Sequence, residues 1–182
     1  QMSVNHQLVV LYGMSGDHMG DIREIQKYTK ENPNPNIRFL AVLPNRKARL
    51  LNFMNRKNVL VYTFYYAYTE WHKQVYKKAL ELVKEETFDL IHYLGPIGYR
   101  EPGYLWKIDK PYMWGPVGGV NNLSRVLFQT LSFKGKLKFG FRTLANQIQF
   151  HTKSRLKKAL AQTDLFLTAT TENRDLFKKF HH

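Results

Sequence analysis

Two short glycine-bearing stretches carry most of the residue types that could do chemistry. In Gly98-Tyr99-Arg100-Glu101, a guanidinium can hold an anion or carboxylate in a two-toothed fork, and the adjacent carboxylate can accept sugar hydroxyls. In Gly115-Pro116-Val117-Gly118-Gly119, glycines let backbone amides approach a phosphate or sugar oxygen without an intervening side chain. Each has a plain structural reading as well. Arg100 and Glu101 can pair with each other ahead of a helix starting at Pro102, and the second stretch can be a tight turn that needs positive φ. It is not a dinucleotide fingerprint, because the three-glycine spacing and the following acid are lacking. His92 lies in an apolar run, where a histidine is more often a hydrogen-bonded core group than a catalyst. His72 and His151 fall on expected helices without partners at metal-ligand spacing, and His18 near Asp17 and Asp21 is too sparse a cluster, so no metal site is expected.

The elements that must position these residues follow from punctuation and periodicity. Phe88–Leu94 and Pro111–Trp114 are short apolar runs read as buried strands, with room for two helical turns over Glu101–Ile108. A strand, helix, strand unit makes its two strands parallel, so the loops 95–100 and 115–119 emerge on one edge of a sheet, where ligands of open α/β sheets bind. Gln7–Tyr12, Ile37–Leu43 and Asp164–Ala169 supply three more strands, and Asn32-Pro33-Asn34-Pro35-Asn36 ends a helix begun near Asp21. Arg46–Asn58 reads as a short basic surface helix. Phe64, Tyr68, Trp71, Val75, Ala79 and Leu82 recur at steps of three and four, which predicts one long helix over about Asn58–Glu86. The alternative is a strand to about Tyr66 followed by a helix capped by Thr69. The aromatics Tyr62, Tyr65, Tyr66, Tyr68 and Trp71 could stack on sugar faces but at this spacing are more often core. Helices are also expected over Leu123–Leu131, from about Arg142 to Gln162, and over Arg174–Phe180. The fold class is α/β, a Rossmann-like parallel sheet with flanking helices.

At 182 residues, 43% hydrophobic and 14% aromatic, the chain is sized for one globular domain spanning 1–182. It has no cysteine, which excludes disulfides and thiolate metal sites, and no apolar run long enough to span a bilayer. The net charge is +14, and no Asp or Glu occurs between Lys110 and Thr163. There Lys134, Lys136, Lys138, Arg142, Lys153, Arg155, Lys157 and Lys158 form a region suited to polyanions: anionic lipid, diphosphates or nucleic acid. Its aromatics form no known RNA-binding motif, which makes nucleic acid the poorer partner.

The motifs Arg100-Glu101-Pro102-Gly103-Tyr104-Leu105-Trp106-Lys107 and Trp114-Gly115-Pro116-Val117-Gly118-Gly119, at this spacing, resemble the N-terminal domain of family-four glycosyltransferases, the retaining sugar transferases of two-domain GT-B architecture. The likeness is greatest to a bacterial subgroup with REPG(Y/F)LWK followed by (W)GPVGG. It reaches more loosely from about His6 to the chain end. The resemblance implies a nucleotide-sugar donor, a glycan or lipid-linked acceptor, a cytoplasmic location peripheral to the inner face of the plasma membrane, no cofactor and no obligatory metal. It implies substrate contacts from His92, Gly98, Tyr99, Arg100, Glu101, Gly115, Pro116, Gly118 and Gly119. It also implies a fragment: the family's first strand and glycine-rich loop, and the donor-binding C-terminal domain with its spaced glutamate pair, have no counterpart here, so this polypeptide alone is expected to be inactive. The competing class is a non-catalytic basic module that binds anionic membrane or nucleic acid.

Overall fold

The computed structural model describes residues 4–13, 22–57, 63–95, 98–119, 125–137, 139–140, 143 and 154–178. The expectations for residues 14–21 and 58–62, and for Lys138, Arg142, His151, Lys153 and His181-His182, lie outside them. The chain is mixed α/β, with two small parallel sheets flanked by helices, consistent with a Rossmann-like fold. It divides into two compact units, 1–87 and 88–182.

In the first unit, β1 (Leu8–Tyr12) and β2 (Ile37–Ala41) pair in parallel from Leu8 opposite Ile37 to Tyr12 opposite Ala41. The helix α1 (Ile22–Glu31) connects them in sequence. Asn45 ends the extended segment and caps α2 (Arg46–Arg56), its side-chain oxygen accepting from the Ala48 amide at 2.8 Å. The helix α3 (Thr63–Glu85) is a single helix. Its buried face, Ala67, Tyr68, Trp71, Val75, Ala79 and Leu82, follows the predicted stripe, which rules out the strand-then-helix alternative. Trp71 Nε1 donates to the Val42 carbonyl at 2.8 Å, joining α3 to the end of β2. His72, buried edge-on against Tyr68 at 4.4 Å, is a packing residue. Tyr68 and Trp71 belong to the core, whereas Tyr65 and Tyr66 are exposed.

The second unit holds β3 (Ile91–Tyr93), β4 (Tyr112–Val117) and β5 (Leu165–Thr168), all parallel, with β4 in the middle. The helices α4 (Arg125–Thr130), α5 (residues 133–137), α6 (Ser154–Ala161) and α7 (Thr171–Phe177) complete it. Its core is aromatic. Trp114 meets Phe166 edge-on at 5.2 Å, Phe166 meets Phe177 at 4.8 Å, and Leu156, Ala159 and Leu160 of α6 close the layer.

Two expected elements differ. The two helical turns over Glu101–Ile108 are a single 3-10 turn, Leu105–Lys107, because Gly103 sits at φ +61°, in the left-handed region where an α-helix cannot continue. The strand expected to stop at Trp114 runs on to Val117, which pairs with Thr168 and whose carbonyl accepts from the Ala169 amide at 2.8 Å. A register shift between Trp114 and Val117 takes up Pro116, which has no N–H to give to a ladder.

Candidate functional site

The parallel register brings the ends of β3, β4 and β5 to one edge. Ile91, His92 and Tyr93 stand opposite Tyr112, Met113 and Trp114, and beyond the strands Gly98 and Gly118 form an isolated parallel bridge. The two glycine-bearing stretches therefore lie side by side, as a strand-crossover-strand unit requires. The turn after β5, Ala169–Thr170, belongs to the same edge, with the Thr170 hydroxyl accepting from the Asn173 amide at 3.2 Å as the cap of α7. Nothing in the sequence near Thr170 marked it as a neighbour of the glycine stretches.

The glycines divide by role. Gly115 has φ +132°, and a Cβ there would fall 2.2 Å from the Leu167 carbonyl oxygen, so this glycine is required by the close approach of β5. Gly119 has φ +77° and faces Gly98, with 3.7 Å from a would-be Cβ to the Gly98 Cα. A Cβ at Gly98 would meet nothing within 4 Å. Gly98, Pro116 and Gly119 are exposed, whereas Gly115 and Gly118 are buried. The exposed main chain of the two stretches is thus at Gly98 and Gly119, where no side chain stands over it.

His92 is half-buried, and its Nε2 lies 3.0 Å from the Gly115 carbonyl oxygen on the adjacent strand. A carbonyl only accepts, so the proton of this contact is on Nε2, which leaves Nδ1 as the second polar atom of the ring. Tyr99 is buried, edge-on to Phe177 at 6.3 Å, and the Arg100 guanidinium stands 5.7 Å from the Tyr99 ring centroid.

Glu101 is 5% exposed and bonds Arg155 of α6. Arg155 Nη2 donates to Glu101 Oε2, and its Nη1 donates to the Tyr104 hydroxyl at 2.7 Å. The Tyr93 hydroxyl donates to the Glu101 carbonyl at 3.1 Å, and Trp106 Nε1 donates to the Gly103 carbonyl at 3.1 Å. The segment from Gly98 to Lys107 is therefore tied to β3, to α6 and to itself, a rigid support for the edge. Arg155, grouped by sequence with the basic stretch, is engaged in this support. Lys134, Lys157 and Lys158 are exposed, and Lys136 is partly buried.

At the opposite end of β4, the Tyr112 amide donates to Asp164 Oδ2 at 2.8 Å. Burial pushes the Tyr112 phenol above its ordinary value, so it stays protonated and supplies no base. Among the described residues no group of three or more His, Asp or Glu side chains could hold a metal ion, and no helix is long and apolar enough to cross a membrane. The chain matches no family model, no curated protein and no solved structure.

Proposed function

We propose that this chain is the acceptor-side half of a retaining glycosyltransferase, which moves a sugar from a nucleotide-sugar donor to a glycan or lipid-linked acceptor. The motifs containing Arg100–Lys107 and Trp114–Gly119 carry the proposal, and the observation that most favours it is the Gly98–Gly118 bridge. Open backbone at Gly98 and Gly119 is joined there into one rim at the carboxyl ends of parallel strands, the edge at which open α/β sheets receive ligands. In this reading Gly98, Gly119 and the Arg100 side chain meet acceptor hydroxyls or phosphate. His92 holds the Gly115 strand in register from behind the rim. Charge that develops on the departing diphosphate is stabilised electrostatically, by oriented donors rather than by an obligatory metal.

Titration of the isotopically labelled protein with soluble oligosaccharides and short-chain isoprenyl-phosphate sugars tests the proposal. Amide shifts should concentrate at Gly98–Glu101 and Gly118–Gly119. The absence of shifts at this rim with every glycan ligand, or tighter binding of single-stranded or duplex nucleic acid than of any glycan or anionic vesicle, would reject it.

A further inference from the structure

The helix α2 breaks the rules of an ordinary stabilising surface helix. Between Arg46 and Lys57 it carries Arg46, Lys47, Arg49, Arg56 and Lys57 and no acid. Two of these cations, Arg46 and Lys47, occupy the first turn, where the helix dipole disfavours positive charge. Ala48 and Asn52 form the buried side. On the outer side Leu50 is 61% and Phe53 56% exposed, and Leu43, just before the cap, is 68% exposed.

At about 100° per residue, Leu50 and Phe53 lie roughly 60° apart, with Arg46 and Lys57 falling between them around the helix, Arg49 and Arg56 on one flank and Lys47 on the other. Glu70, which pairs with Lys47 at 3.9 Å, is recessed at 13% side-chain exposure and accepts from Lys73 at 2.9 Å. Among the described residues no ion pair reaches Arg46, Arg49 or Arg56. Lys57 sits 5.9 Å from the centre of the Phe53 ring.

An outward apolar centre within a fringe of cations is the arrangement of a helix lying in a charged lipid interface, the apolar groups among the acyl chains and the cations among the headgroups. Nucleic acid would use the cations, but it offers no environment that favours an outward leucine and phenylalanine on the same helix face.

We infer that α2 is a docking surface for an anionic bilayer, with Leu50 and Phe53 entering the interface and Arg46, Arg49, Arg56 and Lys57 meeting lipid phosphates. Lipid binding by α2 does not depend on sugar transfer at the Gly98–Gly118 rim, and either can fail without the other.

Co-sedimentation of the 182-residue protein with vesicles of phosphatidylcholine, with and without phosphatidylglycerol, at low and high salt, tests this. The protein should partition onto the anionic vesicles only, and less at high salt. Leu50→Ser with Phe53→Ser should lower the partition coefficient by roughly tenfold or more. Arg49→Gln with Arg56→Gln should lower it by about fivefold per cation removed. Lys134→Gln with Lys136→Gln, in the second unit, should change it by less than either pair. Because the chain has no cysteine, Leu50→Cys also accepts a single environment-sensitive dye, whose emission should rise and shift to the blue on anionic vesicles. Failure to bind anionic vesicles, equal binding to neutral ones, retention by both α2 double variants, loss confined to the Lys134/Lys136 variant, a dye that stays in water on bound vesicles, or preference for nucleic acid would each overturn the inference.

Discussion

The Nε2 of His92 lies 3.0 Å from the carbonyl oxygen of Gly115, across the ladder that joins β3 to β4. This contact fixes which ring nitrogen carries the proton and ties the strand bearing the histidine to the strand bearing the glycine-proline pair. In its neutral form His92 should show the nitrogen chemical shifts of the Nε2–H tautomer. His92→Phe keeps a ring but removes the donor, and should destabilise the protein by about 1 to 2 kcal/mol in urea unfolding. A neutral histidine with its proton on Nδ1 would refute the assignment.

Gly115 and Gly98 should respond in opposite ways to the same substitution. At Gly115 an added methyl meets the Leu167 carbonyl oxygen at 2.2 Å and the Leu167 Cβ at 2.8 Å, on a backbone at φ +132°. Gly115→Ala should therefore cost on the order of 3 kcal/mol or prevent folding. Gly98→Ala meets no atom within 4 Å and should change stability by less than about 0.5 kcal/mol. Any glycan affinity lost in Gly98→Ala then reports on the rim itself, and thermal unfolding alongside a binding titration separates the two effects.

Removing one member of the Glu101–Arg155 pair should be worse than removing both. Glu101 is 5% exposed and the Arg155 side chain 27% exposed, so Arg155→Met leaves a carboxylate in a poorly hydrated place. We expect a loss of about 3 kcal/mol for that variant, with part of it recovered in Glu101→Gln/Arg155→Met. Equal or greater loss in the double variant, measured by chemical denaturation, would mean that the pair does not act as a unit.

The first unit should weaken in acid through Glu70. The hydrogen bond from Lys73, followed by that from Asn45, outweighs burial and holds the Glu70 carboxyl below its ordinary value of 4.5. A carboxyl with a lowered folded pKa contributes stability that is complete above the unfolded value and disappears as pH falls through the folded one. The urea midpoint should therefore fall below about pH 4.5, and Glu70→Gln should be less stable than the parent at pH 7 but should narrow the gap as pH drops. Parallel curves at all pH values would remove Glu70 from the explanation.

Much of the scaffold could be read from sequence wherever a repeating pattern ran long enough. The stripe from Tyr68 to Leu82 outweighed the local strand propensity of its flank, because burial of one continuous face stabilises a helix more than residue preference opposes it. The adjacency of the two glycine stretches followed from topology alone. What escaped was set by distant contacts. Gly115-Pro116-Val117 has the composition of a turn, yet Val117 is drawn into β4 by Thr168, far along the chain. Arg155 sits in a run of cations and was grouped with the residues suited to polyanions, but its acceptor is Glu101, 54 residues earlier, which no local pattern reveals. The split of the strands into a two-stranded sheet, β1–β2, and a three-stranded one, β3–β4–β5, likewise left no mark on any single segment.

The middle strand of the second sheet has a further consequence. Every residue of β4 is covered except Pro116, so neither flat side of that strand offers a berth to another molecule. A visitor can approach it only end-on, over the last few glycines, and the width of such a gangway is set by main chain rather than by side chains. In the proposed reading, selectivity there comes from what the neighbouring turns hang over the opening, so exchange of those turns, with the strands untouched, should be enough to change the guest.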